Sequence, residues 1–177
     1  VTRKTNERIA GFTFLAYIAA GVSDMALTRA SGTQGAATTL AHTVLSLLTC
    51  FAALVLAVTL YAITRDQDRD LALLALTCRV GEGVLGAIPG NMLIGATFFA
   101  VGSTLFSWLL LRGRMIPAAL AWLGVIASVM LVVGLPLQVG GVLSGPITQL
   151  MWLPMAAFEI PLGLWLLLKG VAQSSPA

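Results

Sequence analysis

Charged side chains are scarce in this chain, at 10% of 177 residues, while 58% are hydrophobic and the mean hydropathy is +0.96. A soluble domain carries about 25% charged residues, and a soluble core of this length could not hide so much apolar surface. Clustered basic residues are missing as well. Net charge is +3, but no Lys/Arg run is placed to grip a phosphate backbone, which argues against nucleic acid as a partner. Histidine occurs once, at His42, and the two cysteines, Cys50 and Cys78, lie in separate apolar runs without CxxC or metal-ligand spacing. Neither a structural metal nor a cofactor is expected, and both cysteines read as small buried hydrophobes. There is no Ser-His-Asp order, HExxH or P-loop. Gly81-Glu82-Gly83-Val84-Leu85-Gly86 has the form GxGxxG, yet it follows no strand and carries a Glu at the first x. It reads instead as close helix packing, with Gly86 and Gly90 spaced as small-xxx-small. No sustained in/out alternation appears, so a barrel is not indicated.

What is present is a series of long apolar runs, the signature of helices solvated by lipid. They predict an all-α integral membrane protein, a bundle of six transmembrane helices at about 8–28, 39–63, 71–89, 91–111, 116–138 and 147–168. Residues 1–170 are expected to form a single membrane domain, with 171–177 a short flexible tail. The N-terminal VTRKTNERIAG places basic residues before an apolar run, as a signal peptide does. No small-x-small cleavage site follows, so it reads as a retained first helix. Ser31 to Gly35 and the charged Arg65 to Asp70 are turns, with Asp70 expected to cap the third helix. Pro89-Gly90-Asn91 is a tight turn with Asn91 the N-cap of the fourth helix, and Pro146 suits a helix start. Arg3, Lys4, Arg8, Arg65, Arg69, Arg112, Arg114 and Lys169 then share one face, against Arg29 alone on the other, which predicts both termini in the cytoplasm. The two halves share no convincing sequence match that would indicate an inverted repeat.

Against this background Arg79 and Glu82 stand inside an apolar stretch, with LALLALT before and GVLGAI after. A charge at that depth costs at least ~2.5–3.5 kcal/mol. Counting 1.5 Å per residue from the basic ends puts Arg79 about 12 Å deep, Glu82 about 17 Å and Glu159 about 14 Å. Arg79 and Glu82 are i,i+3 on one helix face. Glu159 reaches Arg79 only if the third and sixth helices are neighbours. The layer reads as an ion pair or triad locking helices together. It also reads as a functional site, because two Glu beside one Arg cannot both be fully compensated. The remaining carboxylate could carry a proton, accept a cation or donate to a polar ligand group. Asp24, about 24 Å deep, and His42, Asn91 and Gln138, about 30 Å or more, form a second polar layer. A His42–Asp24 pair is open to them. Pro154 and Pro161 bracket Glu159, and each is expected to free one carbonyl, of Leu150 and Ala157. Pro136 is expected to loosen the end of the fifth helix in the same way. Trp108, Trp152 and Trp165 suit interfaces or packing.

Four segments carry a likeness to a family: Arg8-Ile9-Ala10-Gly11, Cys78-Arg79-Val80-Gly81-Glu82, Arg114-Met115-Ile116-Pro117, and Phe158-Glu159 through Leu164-Trp165-Leu166-Leu167-Leu168-Lys169-Gly170. With them the chain resembles a bacterial family of small six-helix inner-membrane proteins classed as a domain of unknown function. The resemblance implies a fold and a multi-pass location in the bacterial cytoplasmic (inner) membrane, not an activity. The chain departs from that pattern in having almost no loop between its third and fourth helices, where relatives would carry an outer lid.

Three functions fit these residues. The first is binding or transport of a lipophilic or amphipathic small molecule within the bundle, with Asp24, Arg79, Glu82, Asn91, Trp152 and Glu159 as the ligand-binding candidates. The second is an intramembrane enzyme, cyclase- or isomerase-like, that uses Asp24, Glu82 or Glu159 as acid and base on an isoprenoid or lipid. The third is a structural accessory subunit. Expected partners are membrane lipids and a hydrophobic small-molecule ligand, with a homo-oligomer left open.

Overall fold

The computed structural model describes residues 2–30, 35–88 and 90–172. Residues 31–34 of the expected Ser31–Gly35 loop, Pro89 of the tight turn and the tail residues 173–177 lie outside the described residues. The described residues form seven helices, in order α1 (Arg3–Ala30), α2 (Ala36–Thr64), α3 (Arg69–Gly86), α4 (Met92–Arg112), α5 (Ala118–Val139), the four-residue α6 (Ile147–Leu150) and α7 (Leu153–Leu168). Among the described residues five stretches are long and apolar enough to cross a membrane: Arg3–Arg29, Ala36–Thr64, Met92–Arg112, Ala118–Val139 and Ile147–Leu168. The chain is a multi-pass membrane protein of helices. The third expected span, α3, has 18 residues and is about 27 Å long. Arg69, Asp70, Arg79 and Glu82 make its composition too polar to count on hydropathy alone.

From α1 to α5 each helix packs on the next, and α7 packs on both α1 and α5. The result is a closed ring in the order α1-α2-α3-α4-α5-α7. α3 and α7 stand across the ring from each other and are not packed neighbours, contrary to the condition set for a direct Arg79–Glu159 pair. Short contacts tie each end. At the end carrying most of the basic residues, Arg112 Nη1 lies 3.3 Å from Asp68 Oδ2, and the Ala172 N–H donates to the Met115 carbonyl at 2.9 Å. At the other end His42 Nδ1 meets Asp24 Oδ1 at 2.7 Å, and Arg29 Nη2 donates to Gln149 Oε1 at 3.4 Å. Burial is uneven between these ends. Every buried residue of α2 lies between Ala53 and Thr64, in the half nearer the basic end. Of the core cluster, Leu56, Leu60, Phe106, Leu109 and Leu166 lie in the same half, while Leu131, Leu135 and Met151 carry it into the other.

Several local expectations are corrected. Asp68, not Asp70, caps α3: its carboxylate accepts from the Leu71 N–H at 3.1 Å, and Asp70 sits within the first turn. Asn91 does hold the N-cap position of α4, but its side chain makes no cap bond. The last span is two helices, since the chain turns at Met151 and Trp152 before α7 begins. Pro154 therefore falls in the first turn of α7, where a missing N–H breaks no ladder. Only Pro161 interrupts that helix, while Pro136 lies inside α5 as expected. Gly90 is a turn residue at φ 86° with open space around it, not a packing glycine. The close approach falls instead between Gly86 and Gly95 of α4, where a Cβ on Gly95 would stand 2.9 Å from the Gly86 nitrogen.

Candidate functional site

The polar layer is assembled by four helices around the ring axis. Arg79 is 1% exposed, and its Nη1 stands 2.9 Å from Glu82 Oε2 one turn along α3. The other carboxylate oxygen of Glu82 accepts the Tyr17 hydroxyl of α1 at 2.8 Å. Aromatic rings cover the guanidinium: its carbon lies 4.8 Å from the Phe99 ring centroid and 5.8 Å from that of Tyr17. Gly102 lets the α4 backbone run against the aliphatic stem of Arg79, since a Cβ there would stand 3.1 Å from Cγ. Trp152, between α6 and α7, packs its ring 5.9 Å from Phe99 and so stands one ring behind the guanidinium.

Glu159 is brought to this layer without pairing in it. It is 5% exposed and lines the same small cavity as Arg79, together with Ser103 and Ser107 of α4, and no ion pair closes between Glu159 and Arg79. The cavity measures about 10 Å³, which is room for about one water molecule. Arg79 Nε and Nη2, Ser107 Oγ and Glu159 Oε1 are buried atoms without a hydrogen-bond partner among the described residues. Buried polar atoms are normally satisfied, so these groups define a place for a polar occupant. The chemistry available is hydrogen-bond donation from Arg79, either role from Ser107 and acceptance by Glu159.

The second expected layer is a separate feature. Asp24 and His42 do pair, half-buried, and join α1 to α2. Asp24 stands seven residues beyond Tyr17, about 10 Å along the helix, and is absent from the cavity lining. Asn91 opens α4 at the same far end, and half-buried Gln138 has an unpartnered Oε1. Of the residues put forward as ligand-binding, Arg79, Glu82 and Glu159 thus form one layer, Trp152 touches it through Phe99, and Asp24 and Asn91 lie outside it. Tyr17, Phe99, Ser103 and Ser107 were missed. Tyr17 and Ser103 were within reach of the depth count that found the charges, at about 14 Å from the basic ends of their helices. Phe99 carried no such signal, because an aromatic in a span is ordinarily packing.

No curated protein and no solved structure matches the chain. Two of the four segments carrying the family likeness, Arg114 to Pro117 and Phe158 to Gly170, fall within a stretch that a family model matches, whereas Arg79 and Glu82 do not. Over that stretch, residues 90–170 from the start of α4 to the end of α7, the chain is similar to the family described as Domain of unknown function (DUF4386).

Proposed function

We propose that this protein binds or carries a lipophilic or amphipathic small molecule in the bacterial inner membrane, with six crossings and both termini cytoplasmic. The observation that carries the reading is the convergence of unpartnered Arg79, Ser107 and Glu159 atoms on one cavity inside the ring. A space of about 10 Å³ admits one polar group, such as a hydroxyl or an amine, and not a whole ligand. The apolar remainder would lie between the helices. On the half of the bundle farther from the basic end, α2 has no fully buried residue from Ala36 to Ala52, and that face is where the apolar remainder would pack.

The test is ligand retention. Glu159→Gln removes the unpaired charge and leaves the Arg79–Glu82 pair in place. Its thermal stability in detergent is expected to stay near wild type. A hydrophobic small molecule that co-purifies with the wild-type protein should be lost, by mass spectrometry of the extract. Wild-type protein that carries no such molecule would remove the basis of the reading.

One observation favours a structural role instead. The Tyr17–Glu82–Arg79 chain ties α1 to α3, with one Glu82 oxygen accepting the Tyr17 hydroxyl and the other 2.9 Å from Arg79 Nη1. Under that reading the charges hold helices together, and Glu159→Gln changes nothing that co-purifies. The enzyme reading draws less support, since Asp24 is paired with His42 away from the layer and Glu82 is held by two partners.

A further inference from the structure

A second site is built at the basic end of the bundle, independent of the Arg79 layer. The chain leaves α4 through Gly113 and Arg114, and Arg114 is the only non-glycine among the described residues with a positive φ, 48°. Past α7, Gly170 turns the chain at φ 75°, and a Cβ there would collide with the Glu7 carboxylate. The chain then crosses the α4–α5 connection, where the Ala172 N–H is held by the Met115 carbonyl. These two turns enclose a groove of about 390 Å³, within the size range of small-molecule sites. Its lining includes Arg114, Met115, Ile116, Trp165 and Lys169.

The lining has two chemistries. Met115 and Ile116 are buried and apolar, and Trp165 offers a ring at the end of a spanning helix, the usual depth of a membrane interface. Arg114 and Lys169 are both exposed cations, and Lys169 Nζ stands 4.4 Å from the Trp165 ring centroid. No carboxylate among the described residues forms an ion pair with either one. Glu7, the acid beside Gly170, is paired with Arg3 at 3.5 Å. The α5 N-terminus at Pro117 has no side-chain cap, which adds a weak positive end to the same groove.

We propose that this groove binds the headgroup of an anionic phospholipid. The phosphate would lie between Arg114 and Lys169, and the glycerol and upper acyl carbons against the half-buried Trp165 ring, which Met115 and Ile116 back from the core. A free anion would leave the apolar wall unfilled. A zwitterionic lipid would bring its own cation towards the two basic side chains. Basic pockets beside spanning helices recognise anionic headgroups through this pairing of charge and depth.

The full-length chain is purified in mild detergent with equal phosphatidylglycerol and phosphatidylcholine, and bound lipid is read by native mass spectrometry. Wild type is expected to retain phosphatidylglycerol selectively. Arg114→Gln with Lys169→Gln should lower that retention by roughly thirtyfold. Arg112→Gln, at a cation already paired with Asp68, should leave retention near wild type. Arg114→Gly provides a check on folding: it relaxes the left-handed backbone, so thermal stability holds or rises while retention falls. Equal retention of the two lipids by wild type overturns the proposal, as does full phosphatidylglycerol retention in the double variant. Displacement of the lipid by millimolar inorganic phosphate would overturn the choice of a lipid over a free anion.

Discussion

At the residue scale the centre of this protein is a guanidinium held by one carboxylate and two rings. Arg presents five N–H donors, and Glu82 faces only one of its nitrogens. Cation–π contact with Phe99 and Tyr17 contributes part of what water would have supplied, about 2 kcal/mol in a desolvated site. Tyr17 has two parts in this: its ring faces Arg79 and its hydroxyl bonds Glu82. Tyr17→Phe keeps the ring and removes the hydroxyl bond to a charged acceptor, so it is expected to cost about 1–3 kcal/mol in SDS-titrated unfolding. Tyr61→Phe, at a hydroxyl with no side-chain bond among the described residues, is the control and should change stability by under about 0.5 kcal/mol. Equal losses in the two variants would show that the Tyr17–Glu82 bond adds nothing of its own.

At the scale of elements, helix ends decide where the spans begin. In the run Arg65-Asp66-Gln67-Asp68-Arg69-Asp70 several residues are suited to capping. Asp68 takes the position because its backbone is extended, at φ −163° and ψ 107°, which aims its carboxylate at the Leu71 N–H. Asp68→Ala should therefore cost about 1 kcal/mol, and Asp68→Asn, which caps as well without the charge, much less. Asp70→Ala should fall below both in the same unfolding assay. The α6–α7 break shows a similar choice. Pro154 begins a helix, whereas Pro161 interrupts one and leaves the Ala157 carbonyl without its usual donor two residues before Glu159. Close crossings belong to this scale too: Gly11 and Gly163 bring α1 and α7 together so tightly that a Cβ on Gly11 would stand 2.6 Å from the Gly163 carbonyl oxygen.

For the whole molecule, the proposed six crossings require α3 to span the membrane despite its four charges. Arg79 and Glu82 neutralise one another inside the ring, and Arg69 and Asp70 lie at its end. Cysteine accessibility in intact cells tests the topology. On a background of Cys50→Ala and Cys78→Ala, Asp66→Cys should be shielded from an impermeant maleimide, while Ala87→Cys and Val142→Cys react. If Ala87→Cys is shielded together with Asp66→Cys, α3 does not cross and the orientation read from the basic residues fails.

Long apolar runs and the placement of arginines were enough to predict helices at close to their observed limits, because lipid requires every backbone polar group to be satisfied within its own segment. A count of 1.5 Å per residue was enough to put Arg79, Glu82 and Glu159 at one depth, because depth along a helix is a property of a single element. Which groups meet at that depth depends on the azimuth of each helix and on its neighbours, and no local pattern records either. The ring order set α7 across from α3, and so left Glu159 facing a cavity rather than paired with Arg79. The same order brought Tyr17 to Glu82 and Phe99 to Arg79, and joined Arg114 and Lys169, far apart in sequence, on one groove. Sequence determined the helices and the depth of their charges; packing alone decided the partners, since these contacts cross between helices that share no sequence neighbourhood.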